Sequence, residues 1–281
     1  MAPARLKATS PKKDSVCLVL TRREGDAMAK HAETAGRIIL GLGSLGLGLI
    51  SLIFADFATT WQPVPEWVPA HTVLAYASGA SLTAAGVSLI LNRFAGVAAA
   101  FICGFMCLWA LVLQPPRLLA GEPAAWLAPA EILAVAAGAW TLFWLRAAES
   151  ANRTKAVQTG ATFFGLMTPI FGVAHFLYIP FTASMIPEWI PLRTFWAWFT
   201  GAGHIAGGLS IVTRIIPGIG ASLLAFMFSG FVLLVHAPRI AADPSARIEW
   251  HLLSTALLLT GAAWITAGTL LREPQSNIAQ D

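Results

Sequence analysis

The chain has 281 residues, 57% of them apolar and 11% charged, with a formal net charge of +4, and its mean hydropathy is +0.69. This composition leaves too few polar groups to cover a water-facing surface, which excludes a water-soluble protein. The small positive charge gives no case for nucleic-acid binding.

The opening of the chain differs from the rest. It is basic and polar, with Pro11-Lys12-Lys13 and Arg22-Arg23-Glu24-Gly25, and the apolar run at 16–20 is too short for a signal core. Residues 1–35 therefore read as a cytoplasmic N-terminal tail, in which either translation starts at Met28 or residues 1–30 are disordered. Beyond it, apolar blocks of about the length that spans a bilayer as an α-helix recur. They predict eight spans, at 38–54, 72–91, 95–113, 126–145, 160–179, 194–212, 218–236 and 250–270. Each must be helical, because hydrocarbon leaves no partner for open backbone and the alternation of a barrel strand is absent.

The spans form two similar sets. Pro65-Glu66-Trp67-Val68-Pro69 after the first span returns as Pro187-Glu188-Trp189-Ile190-Pro191 after the fifth, and Gly79, Gly86 and Pro116-Arg117 return as Gly201, Gly208 and Pro238-Arg239. The offset is 122 residues, with a one-residue slip near Arg93 and Arg214. The chain thus reads as a tandem duplication. The expected architecture is an all-α integral membrane protein whose eight transmembrane helices make two tandem four-helix bundles. A first repeat at 36–145 and a second at 160–271 are joined by a cytoplasmic linker at 146–159, and a C-terminal tail follows at 272–281.

Of the 18 Lys and Arg residues, 14 fall on the side of the N-terminus, which places both termini in the cytoplasm and both Pro-Glu-Trp loops outside. Trp61, Trp67, Trp126, Trp189, Trp196, Trp198 and Trp250 gather at the outer ends, as an interfacial belt does. Proline at both ends of the Pro-Glu-Trp motif disfavours helix, so the motif reads as a stiff interfacial turn rather than a site for Glu66 or Glu188 catalysis. The glycines read as helix-packing residues, and Cys103 and Cys107, with no CxxC motif, as packing thiols. Glu131 is the only acid well inside a span, and it reads either as a partner of Arg117 or as a polar contact between the halves.

The histidines separate the two copies. Where the second has His175, His204, His236 and His251, the first has Ile53, Leu82, Gln114 and Leu127. Each helix of the second copy brings one imidazole to the outer half of the bilayer, and an ionisable group at that depth points to a site. His175, His204 and His236 are expected to converge, with His251 at the mouth. Imidazole ligates haem or metal, relays protons and hydrogen-bonds quinones, so a quinone, a haem or a histidine-bound metal fits, and no spacing such as His-Glu-x-x-His selects among them.

The stretch from about Gly165 to Gly268 resembles the DoxX family of bacterial membrane proteins. The resemblance lies in Phe171-Gly-Val-Ala-His175-Phe176, Ile186-Pro-Glu-Trp-Ile-Pro191, Phe199-Thr-Gly-Ala-Gly-His204-Ile-Ala-Gly-Gly-Leu209, an Arg at the inner turn, and Val235-His-Ala-Pro-Arg239. The first copy is similar in outline without the histidines. The resemblance implies a four-helix unit in the bacterial inner membrane and two roles: a redox- or quinone-linked protein working with a membrane redox partner, or a non-catalytic assembly, chaperone or transport-helper protein. A transporter ranks behind both, since repeats with an even number of spans are parallel rather than inverted.

Overall fold

The computed structural model describes residues 11–58, 61–122 and 124–272, the side chains of residues 11–22 excepted. Its helices are α1 (Pro11–Phe54), α2 (His71–Ile90), α3 (Ala95–Leu108), α4 (Pro115–Leu119), α5 (Leu127–Arg146), α6 (Arg153–Leu177), α7 (Ile179–Met185), α8 (Arg193–Thr213), α9 (Pro217–Gly230), α10 (Ala237–Ala242) and α11 (Arg247–Leu270). Two π-helical turns, Trp109–Leu113 and Phe231–His236, join α3 to α4 and α9 to α10. No strand occurs among the described residues.

Among the described residues, seven helices are long and apolar enough to cross a membrane: Arg23–Phe54, His71–Ile90, Ala95–Leu119, Leu127–Arg146, Arg153–Leu177, Pro217–Ala242 and Arg247–Leu270. This is the all-α, multi-pass character that the composition predicts. The remaining expected span, 194–212, falls on the 21-residue helix α8, which is not among the seven. It is long enough, but His204 and a run of glycines lower its hydropathy below that of the other seven.

The disorder expected of residues 1–30 is corrected where the residues are described. Helix α1 begins at Pro11 and runs unbroken through Met28 and residue 35, while residues 1–10 and the expected tail at 273–281 lie outside the described residues. Part of the reason is tertiary. Ala29 and Ala32 are buried, and two charges near the end of this stretch, Glu33 and Arg37, have partners. Glu33 receives Arg146 at 2.9 Å and Arg272 at 2.6 Å. Arg37 donates to the carbonyls of Leu89 and Ile90 at the C-terminus of α2.

The helices close into a ring. Each long helix packs on the next in the order α1, α2, α3, α5, α6, α8, α9, α11, and α11 returns to α1 through the most extensive interface of the molecule. Across the ring α5 meets α11, the most enclosed of the membrane-length helices. The first helix of each half packs on the last helix of the other, so the halves interlock instead of standing apart as separate bundles. Small residues permit this closeness. A Cβ placed on Gly261 of α11 would lie 2.4 Å from the backbone nitrogen of Leu40 in α1, and one on Gly138 of α5 would lie 2.4 Å from Ala262 Cβ.

The backbone of one half recurs in the other. Helices α2 and α8, α3 and α9, and the two π turns start 122 residues apart. So do three pairs of non-glycine residues with left-handed φ: Ala70 and Leu192, Asn92 and Arg214, Phe94 and Ile216. The one-residue slip expected at Arg93 is therefore absent from the turn itself, where Asn92, not Arg93, holds the place of Arg214. The first helices are offset differently. Gly41 faces Gly86 and Gly48 faces Gly79, as Gly165 faces Gly208 and Gly172 faces Gly201, which sets α1 against α6 by 124 residues. Both Pro-Glu-Trp motifs close as tight turns, with Val68 N donating to Pro65 O at 3.1 Å and Ile190 N to Pro187 O at 3.0 Å. Trp67 and Trp189 project from them, 81% and 66% exposed, as headgroup-region indoles do. Trp61 does not belong to that belt, being buried.

Candidate functional site

His175 lies in the last turn of α6 and His204 near the middle of α8. Their helices approach closely because Gly172 and Gly201 face each other; a Cβ on Gly201 would fall 2.9 Å from His175 Cβ. The two imidazoles come to rest with centroids 4.8 Å apart and planes tilted by 43°. His204 is 1% exposed, and His175 is half-buried.

Each ring is anchored by its own helix. His175 Nδ1 lies 2.7 Å from Phe171 O, and His204 Nδ1 lies 2.8 Å from Thr200 O. A carbonyl only accepts, so Nδ1 carries the proton in both rings and Nε2 is left as the lone-pair atom of each neutral imidazole. Two like-oriented tautomers are thereby fixed by backbone geometry, and what they can offer a ligand is a pair of acceptors.

Phenylalanines surround the pair. Phe171 and Phe228 meet the His204 ring edge to face at 5.7 and 5.2 Å. Phe231 lies nearly parallel to both imidazoles, 5.9 Å from His204 and 6.3 Å from His175. Phe231 opens the π turn, a feature that often marks functional sites, but the first half has the same turn with Trp109 at that place. The turn is therefore common scaffold, and the histidines are what distinguish the second half.

His236 and His251 belong to a neighbouring region of the same end. His236 closes the π turn within electrostatic reach of Glu249 and Arg239, and its buried Nδ1 has no hydrogen-bond partner among the described residues. Arg239 grips Glu249 with two bonds, Nε to Oε2 at 2.8 Å and Nη2 to Oε1 at 2.6 Å, tying α10 to α11. His251 is buried in the first turns of α11. Among the described residues no three His, Cys, Asp or Glu side chains come together as a metal-holding group. Of the imidazoles expected to converge, His175 and His204 are in ring contact.

The first half is not apolar at this level. Trp61 Nε1 donates to Glu131 at 3.0 Å, Gln114 Nε2 donates to Trp61 O at 3.1 Å, and Gln62 and Ser78 exchange side-chain bonds at 3.0 and 3.1 Å. Glu131 is therefore held by Trp61, while Arg117 pairs with Glu122 at 2.7 Å. Glu66 and Glu188 are exposed on their turns, away from any buried chemistry. Cys103 and Cys107 are free, half-buried thiols.

The phenylalanine enclosure escaped the reading of the sequence, although Phe171 stands one helical turn before His175 and Phe228 and Phe231 are three apart. The chain matches no protein-family model, no curated protein and no solved structure.

Proposed function

We propose that this chain is a DoxX-like protein of the bacterial cytoplasmic membrane that crosses it eight times, α8 included, with both termini inside. On this reading it arose by duplication of a four-helix unit, and its second copy binds a hydroquinone head group through His175 and His204. The 122-residue recurrence of helix starts and left-handed residues supports the duplication. The gathering of 14 of 18 basic residues toward the N-terminal side supports the orientation.

The observation that carries the ligand is the imidazole pair, 4.8 Å apart, with each Nδ1 committed to a backbone carbonyl. Lone pairs on Nε2 accept the O–H groups of a hydroquinone, whereas a quinone carbonyl would require donors. Phe171, Phe228 and Phe231 provide ring faces and edges for an aromatic ligand. Oxidation of the hydroquinone to quinone releases two protons and two electrons. The imidazoles are the first proton acceptors, and the electrons pass to a membrane redox partner.

Two measurements on detergent-purified full-length protein test this. Titration with a short-chain ubiquinol should give one saturable site that prefers the reduced to the oxidised head group. A Soret band, or stoichiometric iron or copper in the same preparation, would replace the hydroquinone with haem or metal as the histidine ligand.

A further inference from the structure

Where α6 begins and α8 turns into α9, a groove of about 280 Å³ opens between Lys155, Gln158, Thr159, Thr162, Phe163 and Arg214. Its lining includes two cationic side chains and no carboxylate. Arg214 Nη2 lies 3.4 Å from Thr162 Oγ1, which holds the guanidinium beside α6. Phe163 is 53% exposed, and Ile215 and Ile216 stand exposed next to the Arg. The groove thus joins a positive recess to an apolar rim at the end of the bundle that also carries Arg146, Arg153 and Arg272.

The backbone at Arg214 sharpens the point. Its φ is 62°, a left-handed conformation that suits Gly or Asn, and the first half has Asn92, with φ 54°, at the same place in its turn. Ser210 Oγ donates to Ile215 O at 2.6 Å and fastens the turn in that shape. An Arg gives the backbone nothing that Asn would not, so its selection lies with the side chain.

We propose that this groove binds the phosphate of an anionic phospholipid, with Lys155 and Arg214 against the phosphate, the Thr162 hydroxyl as a further contact, and Phe163 beside the acyl chains. A free phosphate shares the head-group chemistry but has no use for the apolar rim. A membrane-surface cation contributes enough for two of them to change affinity about 30-fold.

Native mass spectrometry of the full chain in neutral detergent, with dioleoylphosphatidylglycerol or dioleoylphosphatidylcholine added, tests the assignment. Wild type should retain the glycerol lipid well below the concentration at which it retains the choline lipid. The Lys155→Gln/Arg214→Asn double variant, whose Asn matches the first half and so suits the turn, should lose about 30-fold in phosphatidylglycerol affinity. Arg214→Lys should stay within about fivefold of wild type, and Arg93→Gln, outside the groove, within about twofold. Equal retention of both lipids overturns the proposal, as does wild-type retention by the double variant or a loss in Arg214→Lys as large as in the double variant. Displacement of the lipid by millimolar inorganic phosphate would make the ligand a free anion and overturn it equally.

Discussion

Ser51 occupies in the first half the place that His175 occupies in the second. A Cβ on Gly79 would lie 3.0 Å from Ser51 Cβ, and one on the equivalent Gly201 would lie 2.9 Å from His175 Cβ. The residue expected there, Ile53, is instead 73% exposed. One position therefore holds a small hydroxyl in one half and a ligand-competent ring in the other, on the same packed pair of helices.

Ser51 is fully buried, and its hydroxyl has no hydrogen-bond partner among the described residues. A buried, unanswered hydroxyl destabilises by about 1–3 kcal/mol. Ser51→Ala should accordingly raise the thermal unfolding midpoint in detergent, with a gain of about 1 kcal/mol. A drop in the midpoint would show that the hydroxyl has a partner after all.

Glu33 joins α1 to Arg146 of α5 and to Arg272 just beyond α11, with its own carboxylate 10% exposed and the two guanidinium groups 30% and 35% exposed. Removing the acid leaves these cations, with the buried Arg37 nearby, without their counter-charge. Glu33→Gln should destabilise by about 2–3 kcal/mol, below the full cost of breaking a buried pair because the Arg partners keep some water. Denaturant or thermal unfolding in a mild detergent measures it.

Gly261 and Gly104 should respond oppositely to alanine. The Cβ at Gly261 meets the α1 backbone at 2.4 Å, whereas at Gly104 nothing lies within 4 Å. Gly261→Ala should cost about 1–3 kcal/mol by forcing α1 from α11. Gly104→Ala should be neutral or gain up to about 1 kcal/mol from helix propensity. The difference between the two midpoints checks the interlocked packing directly.

Much of this was legible in the sequence, and the failures have definite causes. The periodic apolar blocks and the returning Pro-Glu-Trp turns foretold the helices and the internal recurrence, because lipid-facing and turn-forming residues carry their structure locally. The register of α1 against α6 was hidden because the segment from Gly172 to Pro187 is two residues shorter than that from Gly48 to Pro65. Only the facing glycines reveal the shift. The start of α1 was masked by the basic, polar residues Lys12, Lys13, Arg22, Arg23 and Glu24, which look tail-like, whereas Glu33 and Arg37 just after them find partners that are distant in sequence. Of the four histidines, His175 and His204 met as their shared depth implied, while the π turn that ends at His236 has no sequence signature.

Orientation is checked independently of any ligand. Reporter fusions after Leu91 and Ile216 should read cytoplasmic, and fusions near Pro65 and Asp243 should read external. A cytoplasmic signal at either Pro-Glu-Trp loop would invert the assignment and move the imidazole pair to the inner leaflet.

The account turns on His204, and one comparison tests it most directly: ubiquinol binding by wild type and by His204→Leu, the residue that the first half carries at Leu82. The buried Leu82 shows that this fold accommodates leucine there, so the variant should insert and unfold like wild type. Its hydroquinone affinity should fall at least about tenfold, the loss expected when a buried acceptor no longer meets the ligand hydroxyl. Wild-type ubiquinol affinity in a folded His204→Leu protein would contradict the account and leave the paired imidazoles as packing alone.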